Sequence, residues 1–177
     1  TGVFNPAVDI AGTYTYSIGG GLCDTDTATV TVTIVQEPNS GGVGQTLNTC
    51  ANETAVDLTT GLDGTQGSGA WNDDNNTGAL TGNIFNPTVV GAGTYTFTYT
   101  VTGISPCSNA TSTVTVIVNP LPVAGTDQSL AICSTDTAQD LFGSLGNTAQ
   151  PGGTWSPALA SGTGMFNPAV DAQGVYT

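Results

Sequence analysis

The stretch Gly93-Thr-Tyr-Thr-Phe-Thr-Tyr-Thr-Val101 alternates large apolar side chains with threonine. A similar alternation follows in Thr113-Val-Thr-Val-Ile-Val118. Because successive side chains of a β-strand point to opposite faces, this period of two predicts two strands that each bury one face. We expect the two strands to form an antiparallel hairpin whose connection spans residues 103–109. The chain is therefore predicted to be all-β.

The motifs around this hairpin recur along the chain at a constant distance. Phe-Asn-Pro begins at residues 4, 85 and 166, and Gly-x-Tyr-Thr begins at residues 12, 93 and 174. Both motifs are therefore spaced by 81 residues. Trp71 and Trp155 are 84 residues apart, a difference that loops of unequal length produce. This period is typical of a small β-domain and is much longer than the turn of a solenoid.

The phase of the repeat divides the chain into one whole unit and two incomplete units. Residues 38–119 hold the complete repeat, which lies between proline-bearing linkers. Residues 1–37 correspond to the C-terminal part of a preceding repeat, and residues 120–177 to the N-terminal part of a following repeat. We therefore expect the chain to be a segment of a longer array.

Each unit is expected to contain about seven short strands. Weaker strand patterns at 45–49, 55–58, 70–72 and 84–85 precede the hairpin of the complete repeat. Seven short strands separated by Gly, Pro and Asn turns are typical of an immunoglobulin-like β-sandwich, whereas a β-helix needs a much shorter period. The predicted core consists of Leu58, Trp71, Phe85 and the row that begins with Tyr95, with downstream counterparts Leu141, Trp155, Phe166 and Tyr176.

The ionisable side chains exclude several classes of function. The chain has 13 Asp and Glu residues but no Lys, Arg or His, which gives a formal charge of −13. A nucleic-acid interface needs cationic side chains to displace the counterions of phosphates. A general base that titrates near neutrality is normally His or a perturbed Lys. The sequence therefore predicts no enzyme and no nucleic-acid partner, and its short apolar runs predict no membrane insertion.

Four cysteines without a CxxC pair indicate disulfides and an oxidising compartment. A Cys50–Cys107 bridge would lie within the complete repeat and leave Cys23 and Cys133 to pair outside the segment. The alternative, Cys23 with Cys50 and Cys107 with Cys133, would join neighbouring repeats across each linker. The phase of the repeat favours the first pairing, since each complete repeat then owns one bridge, which would stabilise it by about 4 kcal/mol.

One run of residues combines carboxylates with asparagines, as a metal site could. The run Asn72-Asp73-Asp74-Asn75-Asn76 is rich in oxygen ligands of the kind that Ca²⁺ accepts. It lacks the ligand spacing of an EF-hand, and Ser156-Pro157-Ala158 follows the second tryptophan instead. A solvated turn is therefore favoured over calcium near Asp73 and Asp74, and no cofactor is expected.

The strings Gly93–Val101 and Thr113–Val116, with Cys107 between them and Asn119-Pro-Leu-Pro122 after them, resemble a known class of repeat. The class is the tandem immunoglobulin-like or polycystic-kidney-disease-like repeats of giant Bacteroidota surface proteins. These are the gliding-motility adhesins and related substrates of the type IX secretion system. The resemblance implies an extracellular location at the bacterial cell surface. It also implies O-glycosylation at Thr27 and Thr137, each of which lies in an Asp-Thr-Ala sequon.

These observations favour a structural rod that spaces a functional tip from the cell, with neighbouring repeats of the same chain as partners. One alternative is an adhesive module that binds surface glycans or a protein of the secretion or motility machinery. The Gly-, Asn- and Asp-rich loop at residues 61–83 would then be the binding site. Another alternative is a filament subunit, because residues 1–37 and 120–177 are complementary parts of one unit that donor-strand pairing could join.

Overall fold

The computed structural model describes residues 2–64, 67–162 and 164–177 and confirms the all-β class. By its internal contacts the chain divides into two units, Thr1–Asn119 and Pro120–Thr177. The division coincides with the predicted boundary before residue 120, whereas the predicted boundary before residue 38 lies inside the first unit. Helix in the described ranges is limited to short turns, the α-helical one being α1, Leu141–Ser144.

A β-hairpin forms the N-terminal part of the first unit. Strand β1, Gly12–Gly20, pairs antiparallel with strand β2, Cys23–Val32. The connection is tight because Gly20 pairs with Cys23, and Gly19, Gly20 and Gly21 all have positive φ there. Glycine alone adopts such angles without a steric penalty, so the glycine run lets the chain reverse in so few residues.

The rest of the first unit contains two sheets. Strands β3 (Thr46–Cys50), β9 (Ala110–Asn119), β8 (Gly93–Val101) and β5 (Ala70–Asp73) form the first sheet, in that spatial order. The predicted hairpin is confirmed, since β8 pairs antiparallel with β9. Strand β3 runs parallel to β9, from Thr46 opposite Thr115 to Cys50 opposite Asn119.

The second sheet consists of three two-residue strands. They are β4 (Val56–Asp57), β7 (Ile84–Phe85) and β6 (Leu80–Thr81), with β7 in the centre. Short 3₁₀ turns follow β4 at Leu58–Gly61 and β7 at Pro87–Val89, each capped by the residue before it. Residues 38–119 thus hold seven described strands in two sheets.

The core of this unit draws its side chains from both sheets, which gives the unit a β-sandwich-like character. Leu58, Phe85, Phe97, Val114 and Val116 are each 0% exposed. Partly buried side chains pack around them, including Trp71 and Tyr95. The predicted core of the complete repeat is therefore confirmed, because the period of two places Phe97, Tyr99 and Val101 on one buried face and threonine on the other. The downstream counterparts Leu141, Trp155, Phe166 and Tyr176 are only partly buried.

The parallel pairing of β3 with β9 depends on a glycine. A Cβ atom at Gly44 would lie 1.9 Å from the carbonyl oxygen of Thr113. Only a residue without a side chain lets the segment before β3 approach the main chain of β9 so closely. Next to it, the hydroxyls of Ser40 and Ser112 form a buried hydrogen bond of 2.8 Å.

The second unit contains fewer regular elements. Strand β10, Gln139–Asp140, pairs antiparallel with strand β11, Met165–Phe166, and α1 follows β10 directly. These elements correspond by sequence to β4, β7 and the turn after β4 of the complete repeat. The main chains of Ser156 and Thr177 exchange two hydrogen bonds of 2.6 and 2.8 Å, in the part that corresponds to β5 and β8.

Candidate functional site

An aromatic pair recurs in all three copies of the repeat. The ring centroids of Phe85 and Tyr95 lie 5.5 Å apart. The centroids of Phe4 and Tyr14, and those of Phe166 and Tyr176, are each 5.8 Å apart. The phenylalanine belongs to Phe-Asn-Pro and the tyrosine to Gly-x-Tyr-Thr, so this contact explains why the two motifs recur together.

The tyrosine of each copy also donates a hydrogen bond to the preceding main chain. Tyr14 and Tyr176 each donate from Oη to the carbonyl oxygen four residues upstream, at 2.6 Å. Tyr95 shares its hydroxyl between the carbonyls of Val90 and Gly91, at 3.2 and 3.3 Å. A tyrosine that bonds back to the preceding main chain in this way forms a contact called a tyrosine corner.

The asparagine of Phe-Asn-Pro holds the turn that leads to each corner. The Oδ1 atoms of Asn5, Asn86 and Asn167 accept a hydrogen bond from the amide two residues later, at 3.0, 3.1 and 3.1 Å. An asparagine side chain that caps a turn in this way suits a following proline, which fixes φ and has no amide to satisfy. The motif is therefore a turn former rather than a ligand site.

The hairpin β1–β2 exposes an apolar face that is buried in the complete repeat. Tyr16 is 67% exposed and Ile18 is 60% exposed. Their counterparts by the repeat period, Phe97 and Tyr99, are 0% and 4% exposed. The opposite face of the hairpin carries threonines, and the hydroxyls of Thr13 and Thr31 lie 3.0 Å apart across the two strands. The hairpin is therefore amphipathic, with its apolar side uncovered in the structure.

The pairing within this hairpin differs from that of β8–β9. In β8–β9, Tyr95 lies opposite Val116. The counterparts of these two residues in the first hairpin are Tyr14 and Val32, but Tyr14 lies opposite Val30 instead. The difference is two residues, and a shift by two keeps every side chain on its own face. The apolar face is thus the same in both hairpins.

The second unit contains an open cavity of about 850 Å³. Its lining includes the predicted core counterparts Leu141, Trp155, Phe166 and Tyr176. In the complete repeat, the corresponding Phe85 is covered by Phe97, with ring centroids 4.8 Å apart. The cavity therefore occupies the part of the unit that the β8–β9 hairpin fills in the complete repeat.

The acidic run begins at the end of β5 and continues into a hydrogen-bonded turn. Burial raises the pKa of Asp73, but hydrogen bonds from Thr77, Gly78 and Asn75 outweigh it and lower the pKa from its ordinary value. The two carboxylate oxygens of Asp74 accept from Asn72 at 2.6 Å and from Thr98 at 2.7 Å. These oxygens serve the turn, and the described residues contain no group of three Cys, Asp or Glu side chains placed to hold a metal.

The four cysteines are thiols, and the structure does not bring Cys50 and Cys107 together. Cys50 lies opposite Asn119 at the end of β9, while Cys107 precedes the start of that strand at Ala110. A strand of ten residues spans about 30 Å, whereas a disulfide needs Cα atoms within about 7 Å. The pairing favoured from the sequence is therefore not formed, because the two cysteines lie at opposite ends of one sheet.

The neighbours of Cys107 come from the segment before the complete repeat. Its Sγ atom lies 3.5 Å from the carbonyl oxygen of Val35. Cys23 is the first residue of β2, directly after the turn of the β1–β2 hairpin, and Cys133 precedes the turn at residues 134–136 of the second unit. Cys23 and Cys133 are both exposed.

Thr27 and Thr137 are both exposed. Thr27 lies in β2 opposite Ser17, on the threonine face of the hairpin. Thr137 lies between a turn and β10. Both hydroxyls are therefore placed where a glycan would not displace the core. The predicted binding loop at 61–83 includes Thr65 and Gln66, which lie outside the described residues.

Comparisons of this chain with protein-family models, curated proteins and solved structures found no match. Of the described residues, no helix has the length and apolar character needed to cross a membrane.

The sequence interpretation did not anticipate the tyrosine corners. The signal was present in the constant eight-residue interval between the start of Phe-Asn-Pro and that of Gly-x-Tyr-Thr in all three copies. A spacing that stays constant while loops elsewhere vary indicates a direct contact between the two motifs. The contact here is the aromatic pair.

Proposed function

We propose that this chain is a structural rod segment of a large cell-surface protein, built from tandem immunoglobulin-like repeats that space a functional tip from the cell. The observation that carries the proposal is the threefold recurrence of the tyrosine corner and its aromatic pair, at 81-residue intervals. Recurrence of a tertiary contact indicates that one domain is repeated, whereas short motifs alone also recur in irregular chains.

The strand arrangement of residues 38–119 supports an immunoglobulin-like repeat. Strands β9, β8 and β5 form one sheet, and β4, β7 and β6 form the other. This corresponds to the two sheets of a seven-strand immunoglobulin-like sandwich, with the first strand added beside the last. Each added repeat would lengthen the chain by about 30 Å, the length of its long strands.

The pairing of the first strand of the repeat with its last strand suits a protein that carries tension. The first strand, β3, and the last strand, β9, lie side by side and run parallel over five residue pairs. Force applied to the two ends of residues 38–119 pulls these strands along each other, so all of their hydrogen bonds are loaded at once. A ladder that opens in this way resists more force than one that opens pair by pair.

The surface supports an extracellular location. The lack of Lys and Arg removes every cleavage site for trypsin-like proteases, and the threonine faces of the hairpins offer exposed hydroxyls for glycans. The formal charge of −13 keeps such a chain soluble and repels surfaces of like charge. Thr27 and Thr137 are the proposed O-glycosylation sites.

The test is single-molecule force spectroscopy on the 177-residue chain held at its two ends. We expect one dominant force peak from the central repeat. The released length should match about 80 residues at about 3.4 Å per residue. Extension without a peak would contradict a tension-bearing sandwich.

The competing function is an adhesive module, and a binding screen separates it from the rod. The intact chain is immobilised and exposed to a glycan array and to a surface-protein extract. We expect no saturable binding, because a spacer needs no ligand. Saturable binding that is lost on substitution of Asn75 or Asn76, in the exposed part of the loop at 61–83, would favour the adhesive module.

A further inference from the structure

We propose that Cys107 forms a disulfide with the counterpart of Cys50 in the repeat before it, so that a covalent bond joins consecutive repeats beside each linker. The inference deepens the proposed function and rests on it, because the partner cysteine belongs to a neighbouring repeat. The pattern differs from a Cys50–Cys107 bridge within one repeat. It also reverses the order of the alternative pairing, in which Cys23 of one repeat bonds Cys50 of the next.

Cys107 lies at the end of the complete repeat where the chain enters it. Its Sγ atom lies 3.5 Å from the carbonyl oxygen of Val35, which precedes the linker residue Pro38 by three positions. A turn holds the cysteine there, since its amide donates to the carbonyl oxygen of Ile104 at 2.9 Å. The thiol is partly buried. Cys107 therefore faces the main chain that ends the preceding repeat.

Cys50 lies at the other end of the complete repeat, where the chain leaves it. It is paired with Asn119, the last residue of β9, and the amide of Ala51 donates to the carbonyl oxygen of Asn119 at 2.9 Å. Paired strands lie about 4.8 Å apart, so the main chain of Cys50 is next to this carbonyl group. The side chain of Cys50 is exposed and is therefore accessible to a neighbouring repeat.

Val35 and Asn119 occupy equivalent positions in two repeats. The Val-Thr-Val strings that begin at residues 30 and 114 are 84 residues apart, and the same step relates Val35 to Asn119. It also relates Pro38 to Pro122, so the two linkers reach their prolines over the same length. Since Cys50 lies opposite Asn119, its counterpart in the preceding repeat would lie opposite Val35.

The two cysteine contacts converge on one peptide group. The carbonyl of Asn119 accepts from the residue after Cys50, and the carbonyl of its equivalent, Val35, lies beside the thiol of Cys107. Within an array, each such carbonyl would therefore have a Cys50 counterpart on one side and a Cys107 counterpart on the other. A disulfide needs Cα atoms within about 7 Å, and residues that border the same peptide group meet this limit.

The bond would limit how far an array lengthens under tension. A disulfide from Cys50 of one repeat to Cys107 of the next bypasses residues 51–119 of the first repeat and residues 38–106 of the second. Force then passes through the bond instead of through these residues. If the β3–β9 pair yields, the array therefore gains length only from the short segments outside the bypass.

The bond forms by thiol–disulfide exchange with an oxidised small disulfide, such as glutathione disulfide. The exposed thiolate of Cys50 attacks one sulfur of glutathione disulfide and releases one glutathione thiol. The thiolate of Cys107 from the next repeat then attacks the sulfur of Cys50 and releases the second glutathione thiol. The two cysteines lose two electrons and two protons in total, and one glutathione disulfide becomes two thiols.

The test uses the full chain with residues 38–119 duplicated in place after Asn119, so that two complete repeats follow each other. Cys23→Ser and Cys133→Ser are present throughout. The proposed-pair variant adds Cys107→Ser in the first copy and Cys50→Ser in the second, which leaves the two cysteines that the proposal joins. The matched control carries the opposite two substitutions and keeps Cys107 in the first copy and Cys50 in the second.

Both variants are oxidised in a glutathione buffer, and the monomeric fraction is digested with chymotrypsin, because the chain has no trypsin sites. We expect mass spectrometry to find a Cys50–Cys107 peptide in the proposed-pair variant and none in the control, whose cysteines lie at the two far ends. A proposed-pair variant without this peptide, or a control that yields as much of it, would overturn the proposal.

Force spectroscopy separates failure of this proposal from failure of the proposed rod. Reduced, both variants should give two force peaks, each releasing the length of residues 38–119. Oxidised, the proposed-pair variant should lose both peaks, because its disulfide bypasses most of both repeats, while the control keeps them. Two peaks that persist in the oxidised proposed-pair variant would refute the disulfide alone. Reduced chains without any peak would refute the tandem sandwich and this inference with it.

Discussion

The ring of Phe85 contacts two aromatic rings at once, that of Tyr95 at 5.5 Å and that of Phe97 at 4.8 Å between centroids. In the other two copies of the repeat, the phenylalanine keeps its tyrosine at 5.8 Å, but among the described residues no third ring packs beside it. Phe85 is fully buried, whereas Phe4 and Phe166 are half-buried. The tyrosine corner therefore forms locally, and burial of the phenylalanine requires the remainder of the sandwich.

Tyr95→Phe should destabilise residues 38–119 modestly. The substitution removes the hydroxyl that donates to the carbonyls of Val90 and Gly91 but keeps the ring against Phe85. A net hydrogen bond of this kind contributes about 0.5–1.5 kcal/mol, so we expect the free energy of unfolding in urea to fall by that amount. Tyr16→Phe is the control and should leave the transition unchanged, because Tyr16 is 67% exposed.

Phe85→Ala should lower the free energy of unfolding of residues 38–119 by much more than Tyr95→Phe does. Removal of a fully buried phenylalanine leaves a cavity between the two sheets, and such changes cost about 3–5 kcal/mol. Most or all of the stability of a small domain would be lost, so we expect fast hydrogen exchange in β8 and β9 at 25 °C. Phe4→Ala, the equivalent change in the first copy, should leave that exchange slow. Equal effects of the two substitutions would show that the core is not centred on Phe85.

The long strands were predictable because their side chains alternate without interruption. The expected hairpin matches β8 and β9, and its predicted connection at 103–109 lies between their ends at Val101 and Ala110. The short strands were less predictable. Residues 55–58 were expected to form one strand, but only Val56–Asp57 is extended, and a 3₁₀ turn begins at Leu58. Asp57 causes this break, because its carboxylate caps the turn by accepting from the amide of Thr59.

The cysteine arrangement could not be predicted from spacing. The period gives each repeat one cysteine equivalent to Cys50 and one equivalent to Cys107. It does not show at which end of the sandwich each cysteine lies. The end is decided by the parallel pairing of β3 with β9, which places Cys50 opposite Asn119. That pairing depends in turn on the close approach at Gly44, a single residue among 25 glycines.

Gly44→Ala should detach β3 from the sheet. The new Cβ would lie 1.9 Å from the carbonyl oxygen of Thr113, so the main chain of one strand has to move. Overpacking of this kind costs about 1–3 kcal/mol. We expect faster hydrogen exchange in β3 and a lower unfolding force, since the proposed path of tension runs through the paired strands β3 and β9.

Gly12→Ala is the control for this substitution. A Cβ at Gly12 meets nothing within 4 Å, so both readouts should stay unchanged. An unaltered unfolding force in Gly44→Ala would contradict the role of the β3–β9 pair in bearing tension.

Acid should weaken the complete repeat through Asp57. The Thr59 hydroxyl, the Thr59 amide and the Asn83 side chain donate to its carboxylate and lower its pKa from the ordinary value, against a small opposing effect of burial. An unfolded aspartate has a pKa of about 3.9, so the folded state binds the proton less readily than the unfolded state does. The stability from these bonds is therefore complete above about pH 5 and is lost as the pH falls through the folded pKa.

We expect the urea midpoint of residues 38–119 to drop between about pH 5 and pH 2, and to drop less in Asp57→Asn, whose side chain cannot take up the proton. An equal drop in both proteins would assign the acid sensitivity to other carboxylates.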